Sequence, residues 1–450
     1  MRMIRSCMAA LVATAMAGCN LDLQNPNAPT EEQVTTSPDG VIALATGLQA
    51  RFAVSYFSFA YMAGLVTDEF GATSAALISI SEAEQGSVAP GTGVADSVFI
   101  SIYRTVRTAD DLLAGANSLS AQFDDGTRSG LRALAFALKA ESLGEALQTY
   151  QRVPVVTYGM TTPEYVGRAE ALPVVRNLLD SAANAIAATA PSALFNNSIL
   201  TPGVSLSNII QLFRARYARI AGDNATALAA SNLVARTGAA AFSQLTFASS
   251  SNPYAAVTGG TTGIAPRRQW RLSMAPGDQR VDWFVIPSTT LTGRIQTTQL
   301  DPWRRYASSA TPLPVYFPDE ALLIKAEALA NTNALAQAQA VLDSVRTDCT
   351  GGRGLDDPKA CLAPLGGPLS QPQLLAEIYT QRRYELFGTG SRWEDSRRRN
   401  AVRGPVASPL IPLDAQRCWL PYAIGDRNAN PNVPADPVEP ASFPSGCPLL

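Results

Sequence analysis

The chain contains no histidine. That excludes a Ser-His-Asp triad, a Cys-His dyad and every His-ligated metal site. Carboxylates, lysine, cysteine and aromatic rings are left to do chemistry. Glu31-Glu32, Asp110-Asp111 and the pair Glu141 and Glu145 are the acids a glycoside hydrolase would use. Such a reaction needs two acids held at a set separation across a cleft. Glu141 and Glu145 instead lie four apart, share one face of a predicted helix, and read as solvated surface. No catalytic residue, metal site or cofactor is assigned.

Binding chemistry is better represented. Oligosaccharides present apolar sugar faces ringed by hydroxyls, so a binder needs aromatic platforms beside planar polar groups. Trp270, Trp283 and Trp303 fall in a Ser/Thr/Gly-rich stretch, each beside charge: Arg268 and Arg271, Asp282, and Asp301 with Arg304. They are candidate ligand platforms, the alternative being that each anchors a loop. Asp68, Glu69 and Phe70 open the Gly/Ser/Ala-rich segment 64–95 and are further candidates, or else a helix-to-loop junction. The basic group Arg397-Arg398-Arg399 tempts a phosphate-binding reading. However, Glu394 and Arg398, and Asp395 and Arg399, are four apart and read as ordinary helix ion pairs. Glu327 sits among apolar neighbours and needs a cation, expected to be Arg382 or Arg383 on another helix.

These residues need a scaffold, and its clearest piece is residues 318–346. Leu322, Ala326 and Leu329, then Leu335, Ala338, Leu342 and Val345, recur at three and four around an Asn-rich break. That spacing predicts one helical hairpin of the tetratricopeptide kind, opened by Pro318 and two acids. Such a hairpin cannot bury its face alone and needs stacked neighbours. Helical stretches over 41–61, 97–117, 127–150, 163–190, 208–239 and 372–399 would supply three or four pairs. Segments 246–316 and 401–450 have little helical period. They are expected to form a loop-rich lobe with short β-hairpins, 281–287 being one candidate strand. The fold class expected is mostly α: tetratricopeptide-like pairs stacked into a superhelix with this lobe beside it. The stack covers 39–245 and 317–400, within one domain over 39–450.

Length and composition agree. The chain has 450 residues, 46% hydrophobic and 16% charged, which suits a folded protein. Its net charge of −2 lacks the basic excess of a nucleic-acid binder. Arg2 and Arg5 precede a short apolar run, then Met16-Ala17-Gly18-Cys19, a pattern similar to a bacterial lipobox. Residues 1–18 are expected to be cleaved and Cys19 acylated, holding the chain on a membrane by lipid alone. An ordinary signal peptide is the alternative. No other apolar run reads as long enough to span. Residues 19–38 read as a flexible tether. Cys349, Cys361, Cys418 and Cys447 can oxidise after export, with three pairings open; nearest-neighbour pairing closes the shortest loops. CxxC spacing is absent, which argues against a zinc cage.

The order of these pieces resembles the SusD/RagB family of outer-membrane nutrient-binding lipoproteins. The resemblance rests on Cys19-Asn20-Leu21-Asp22, Tyr103-Arg104 through Asp110-Asp111, Arg132-Ala133-Leu134, Val153-Pro154, Asp319-Glu320 through Ala328, Arg382-Arg383-Tyr384-Glu385-Leu386-Phe387, Gly390, Arg392-Trp393, Asp395, and Asn430-Pro431-Asn432. It departs at Gln381, where the family usually has Glu, at Thr389, and at Leu420-Pro421-Tyr422. The resemblance implies a helical fold, glycan or other nutrient capture at the surface of the outer membrane without catalysis, and a SusC-type TonB-dependent β-barrel transporter as partner. The competing expectations are a tetratricopeptide scaffold for a protein partner with no small ligand, and a carboxylate glycoside hydrolase.

Overall fold

The computed structural model describes residues 34–236, 243–246, 252–295, 298–349, 358–403 and 417–437. Cys19, Glu31, Glu32 and Cys447 lie outside the described residues. The chain is mostly helical. Helix α1 (Pro38–Val66) starts where Ser37 Oγ accepts from the Gly40 N–H at 3.1 Å and Pro38 fills the first turn. It is long and apolar enough to cross a membrane, contrary to the expectation from sequence. Leu48, Phe52, Phe59, Met62 and Leu65 are nevertheless buried in the protein, so it is a core helix.

Helices α3 (Gly93–Ser118), α4 (Asp125–Thr149), α5 (Arg168–Ala188), α6 (Leu206–Ile220) and α7 (Asn224–Leu233) follow. Asp124, Ser205 and Asp223 cap α4, α6 and α7 by accepting from the first-turn N–H groups. The late helices are α11 (Pro318–Asn331), α12 (Leu335–Arg346), α13 (Gln371–Glu385) and α14 (Ser391–Arg403). Each packs on its neighbour: α1 on α3, α3 on α4, α4 on α5, α5 on α6, α6 on α7, α7 on α11, and α11 on α12 and α13. This is the tetratricopeptide-like stack. Asn333 adopts φ +63° in the break between α11 and α12. The apolar residues expected there, Leu322, Ala326, Leu329, Ala338, Leu342 and Val345, join Leu374 and Ile378 of α13 in a core of their own.

Among the described residues there are three two-stranded antiparallel sheets. β1 (Phe70–Ala72) pairs with β5 (Ile264–Pro266), Gly71 opposite Ala265, and β4 (Gln244–Leu245) pairs with β6 (Leu313–Pro314). These two tie the lobe to the stack. β2 (Arg152–Pro154) and β3 (Tyr165–Gly167) pair outside the lobe. Segment 64–95 is not one long loop, since it holds β1 and helix α2 (Ile78–Glu84). The expected strand 281–287 is instead largely helix α10 (Arg280–Phe284). Arg280 and Phe284 lie four apart and are both fully buried, a spacing that puts them on one helical face. Cys349 and Cys361 are disulfide-bonded. Cys418 is buried and disulfide-bonded too.

A seam of buried charge runs through the stack. Glu327 accepts from Arg219 and, at 2.8 Å, from Arg398. Asp395 accepts from Arg219 at 2.7 Å and Arg382 at 2.6 Å. The partner expected for Glu327 is therefore corrected: Arg382 turns to Asp395, and Arg383 lies over the Tyr384 ring. Glu394 bonds Arg168 rather than Arg398, so the expected surface pair is not formed. Arginines about it hold Asp395 and Glu394 below the usual carboxylate range despite burial. Glu141 and Glu145 are also not solvated. Both are buried, Glu141 bonding Arg216 and Glu145 accepting from Ser55 at 2.7 Å. Helix α4 packs against α1, α3, α5 and α6, leaving it no wet face for those acids.

The close approach of α4 and α6 depends on Gly144. A Cβ there would sit 1.8 Å from the Tyr217 hydroxyl and 2.0 Å from its ring carbon. Tyr217 is fully buried and cannot swing aside. Gly144→Ala is expected to lower stability by about 1–3 kcal/mol through overpacking, read as a fall in the urea midpoint. An unchanged midpoint would contradict this packing.

Candidate functional site

Helix α3 carries two stripes. Val98, Ile102 and Val106 face the core. Asp96, Phe99, Ile100, Tyr103, Arg104, Arg107 and Asp111 recur at three and four on the other side, and all line a cleft of about 690 Å³. The same periodicity that builds the helix gathers them. Arg51 of α1 and helix α15 (Ile424–Ala429) close the cleft.

The floor is aromatic. The Phe99 and Tyr103 ring centroids are 4.4 Å apart, and Tyr150 meets Phe99 edge-on at 5.6 Å. Tyr103 Oη donates to the Pro154 carbonyl at 3.1 Å, which fixes the ring. Burial pushes its phenol well above the ordinary range, so it stays protonated as this donor. Ile100 and Ile424 remain exposed on the cleft wall. Arg107 bonds Asp111 at 2.9 Å and lies 5.0 Å from the exposed Tyr158 ring. Asp426 accepts from Tyr165 Oη, and Asp96 from the Ile424 N–H at 3.4 Å. Burial first, then that bond to Asp426, keeps the Tyr165 phenol protonated. Apolar rings beside planar charged groups are what a sugar needs from a binding site.

A second cavity of about 400 Å³ lies on the other flank of α1 and α3, lined by Phe57, Tyr61, Leu77, Ile80, Val94 and Val257 among others. Its polar side chains are limited to Ser, Thr and Tyr61 hydroxyls, with no charged residue.

The candidate ligand platforms singled out from sequence lie elsewhere, whereas Asp111, one of the candidate acids, lines the cleft. Trp270 and Trp303 are 1% and 4% exposed, too buried to act as platforms. Trp270 Nε1 donates to the Arg383 carbonyl at 3.3 Å and Trp303 Nε1 to Ile264 O at 3.2 Å. Both belong to an aromatic core with Phe70, Phe284 and Phe387. Trp283 is half-buried, its ring covered by Arg305 at 4.6 Å. Asp68 sits at φ +58° and bonds Arg267. Glu69 is buried, accepting from the Gly388 N–H at 3.4 Å. The loop-anchor and junction alternatives describe these residues. A signal for the α3 cleft exists in the sequence: the charged and aromatic stripe of α3, opposite Val98, Ile102 and Val106.

The architecture is similar to that of solved SusD superfamily proteins. A SusD superfamily protein from Bacteroides thetaiotaomicron superposes with a TM-score of 0.67 at 15% identity, covering 89% of this chain and 99% of that one. NanU from B. fragilis gives 0.67 at 12% identity, over 92% and 99%. Surface glycan-binding protein A from Bacteroides uniformis gives 0.63 at 14%, over 87% and 99%. Residues 265–407 match the SusD family in sequence. No match was found among curated proteins. The resemblance drawn from sequence therefore holds, with a SusD-like fold along the chain and SusD-family sequence in its later part.

Proposed function

We propose that this chain is a non-catalytic glycan-binding protein of the bacterial cell surface, taking oligosaccharide into the α3 cleft. The carrying observation is the aromatic floor of Phe99 and Tyr103 beside Arg51, Arg104, Arg107 and Asp111, on a fold shared with proteins named for carbohydrate or glycan binding. Acylated Cys19 anchors it to the outer membrane through the tether over 19–38, and it delivers glycan to a SusC-like TonB-dependent β-barrel transporter. The lipobox pattern and the family resemblance support that part of the reading. The acids a hydrolase would recruit are engaged in the fold: Asp110 bonds Lys139 at 2.5 Å, and Glu141 and Glu145 are buried.

The test is titration calorimetry of the mature chain against a panel of neutral and acidic oligosaccharides, with reducing ends assayed in parallel. Saturable binding to at least one glycan without new reducing ends is expected. A silent panel would remove the binding reading, and turnover would replace it with the enzyme.

A further inference from the structure

Nearly every described arginine side chain has at least one partner in the fold. Among the described arginine side chains, only Arg51, Arg104 and Arg132 have neither a hydrogen-bond nor an ionic partner. Two of those three, Arg51 and Arg104, are exposed and line the same cleft. The acids beside them are already engaged. Asp111 accepts from Arg107, Asp426 from Tyr165 Oη, and Asp96 from the Ile424 N–H. The cleft therefore offers two guanidinium groups with no partner in the fold, beside carboxylates that each already have one. We infer that the sugar held here carries a carboxylate, received by Arg51 and Arg104 while its ring lies over the half-buried Tyr103, which Phe99 backs. This rests on the glycan reading of the same cleft.

The chemistry favours a carboxylate over a neutral hydroxyl. A guanidinium presents parallel N–H donors whose spacing matches the two oxygens of a carboxylate, and the charge strengthens both bonds. The arginines come from different helices, α1 and α3, so the pair exists only in the folded stack. The apolar floor explains why a sugar acid suits the site better than a small free anion. A free anion would leave Phe99, Ile100 and Tyr103 without a partner.

The experiment compares an oligogalacturonate with the same oligomer after its carboxyls are reduced to hydroxymethyl groups. Affinity of the full mature chain for the acid should be about tenfold or more higher, given the strength of charge-assisted bonds. The preference should shrink with added salt. Arg51→Ala and Arg104→Ala should each weaken the acid more than the neutral oligomer, so that the preference between the two narrows several-fold. Arg104→Lys should restore part of the loss, since a point charge attracts without the fork. Both side chains are exposed, so an unaltered melting curve is expected and checks folding. Equal affinity for the two oligomers, or a preference that survives the double alanine variant, overturns the inference while sugar binding stands. Equal affinity for a sulfated neutral oligomer, or for polyglutamate, overturns its carboxylate or sugar half respectively. Silence toward both oligomers overturns it as well, and silence across the whole glycan panel takes the parent reading with it.

Discussion

Glu327→Ala is expected to cost about 3–5 kcal/mol of folding stability, the range for breaking a buried ion pair from one side. Glu327 is 1% exposed and bonds Arg219 and Arg398 together. Arg219 in turn shares Asp395 with Arg382. Removing the carboxylate leaves Arg219 and Arg398 buried near each other with one acid fewer between them. That uncompensated charge, more than the lost bonds, sets the cost. The network joins α6, α11, α13 and α14, which are far apart in sequence, so the loss should appear as a lower urea midpoint at unchanged slope. Glu327→Gln keeps the shape and one acceptor and should fall between wild type and alanine. A wild-type midpoint for the alanine variant would mean that the seam contributes nothing.

The second large effect depends on pH. Burial raises the Glu69 carboxyl from its ordinary value of 4.5 to about 7, against the lowering influence of Arg392 and the Gly388 N–H. Below the unfolded value both states are protonated and folding bears no penalty. Between 4.5 and about 7 the unfolded chain ionises first, so stability falls as pH rises; above that the penalty is constant. The whole change amounts to about 3 kcal/mol. Glu69→Gln cannot ionise. Its stability relative to wild type should be near zero at pH 4 and climb to about 3 kcal/mol in its favour by pH 8. Urea unfolding of both proteins across that interval checks it. A difference that stays flat, or one that favours wild type at high pH, would show that Glu69 is ionised and compensated in the fold.

Much of the scaffold was legible. The periodicity of Leu322, Ala326 and Leu329 and of Ala338, Leu342 and Val345 describes the hairpin that the structure contains. The late signature also has an architectural meaning. Arg382 bonds Asp395 across the α13–α14 corner, and Trp393 is fully buried with Nε1 donating to the Arg417 carbonyl at 2.7 Å. The candidate site was legible only as the charged and aromatic stripe of α3. Tryptophans in an aperiodic, charged stretch looked like platforms, yet Trp270 and Trp303 are large apolar bodies that the lobe uses as its core. Arg51 carries no local signal, and Arg104 enters only through the family-like stretch that begins at Tyr103-Arg104.

Local pattern determined where this chain coils into helices, which residues cap them, and which stripe of each helix is apolar. Those are properties of a few turns at a time, set by hydrophobic period and backbone hydrogen bonding. Tertiary structure alone decided that Glu141 and Glu145 turn inward to Arg216 and Ser55, and that Glu327 meets Arg219 and Arg398. It alone brought Arg51 opposite the polar stripe of α3. The reason is physical: a helix records the angle of each side chain about its own axis, but whether that direction meets water, a cation or another helix depends on segments a hundred residues away.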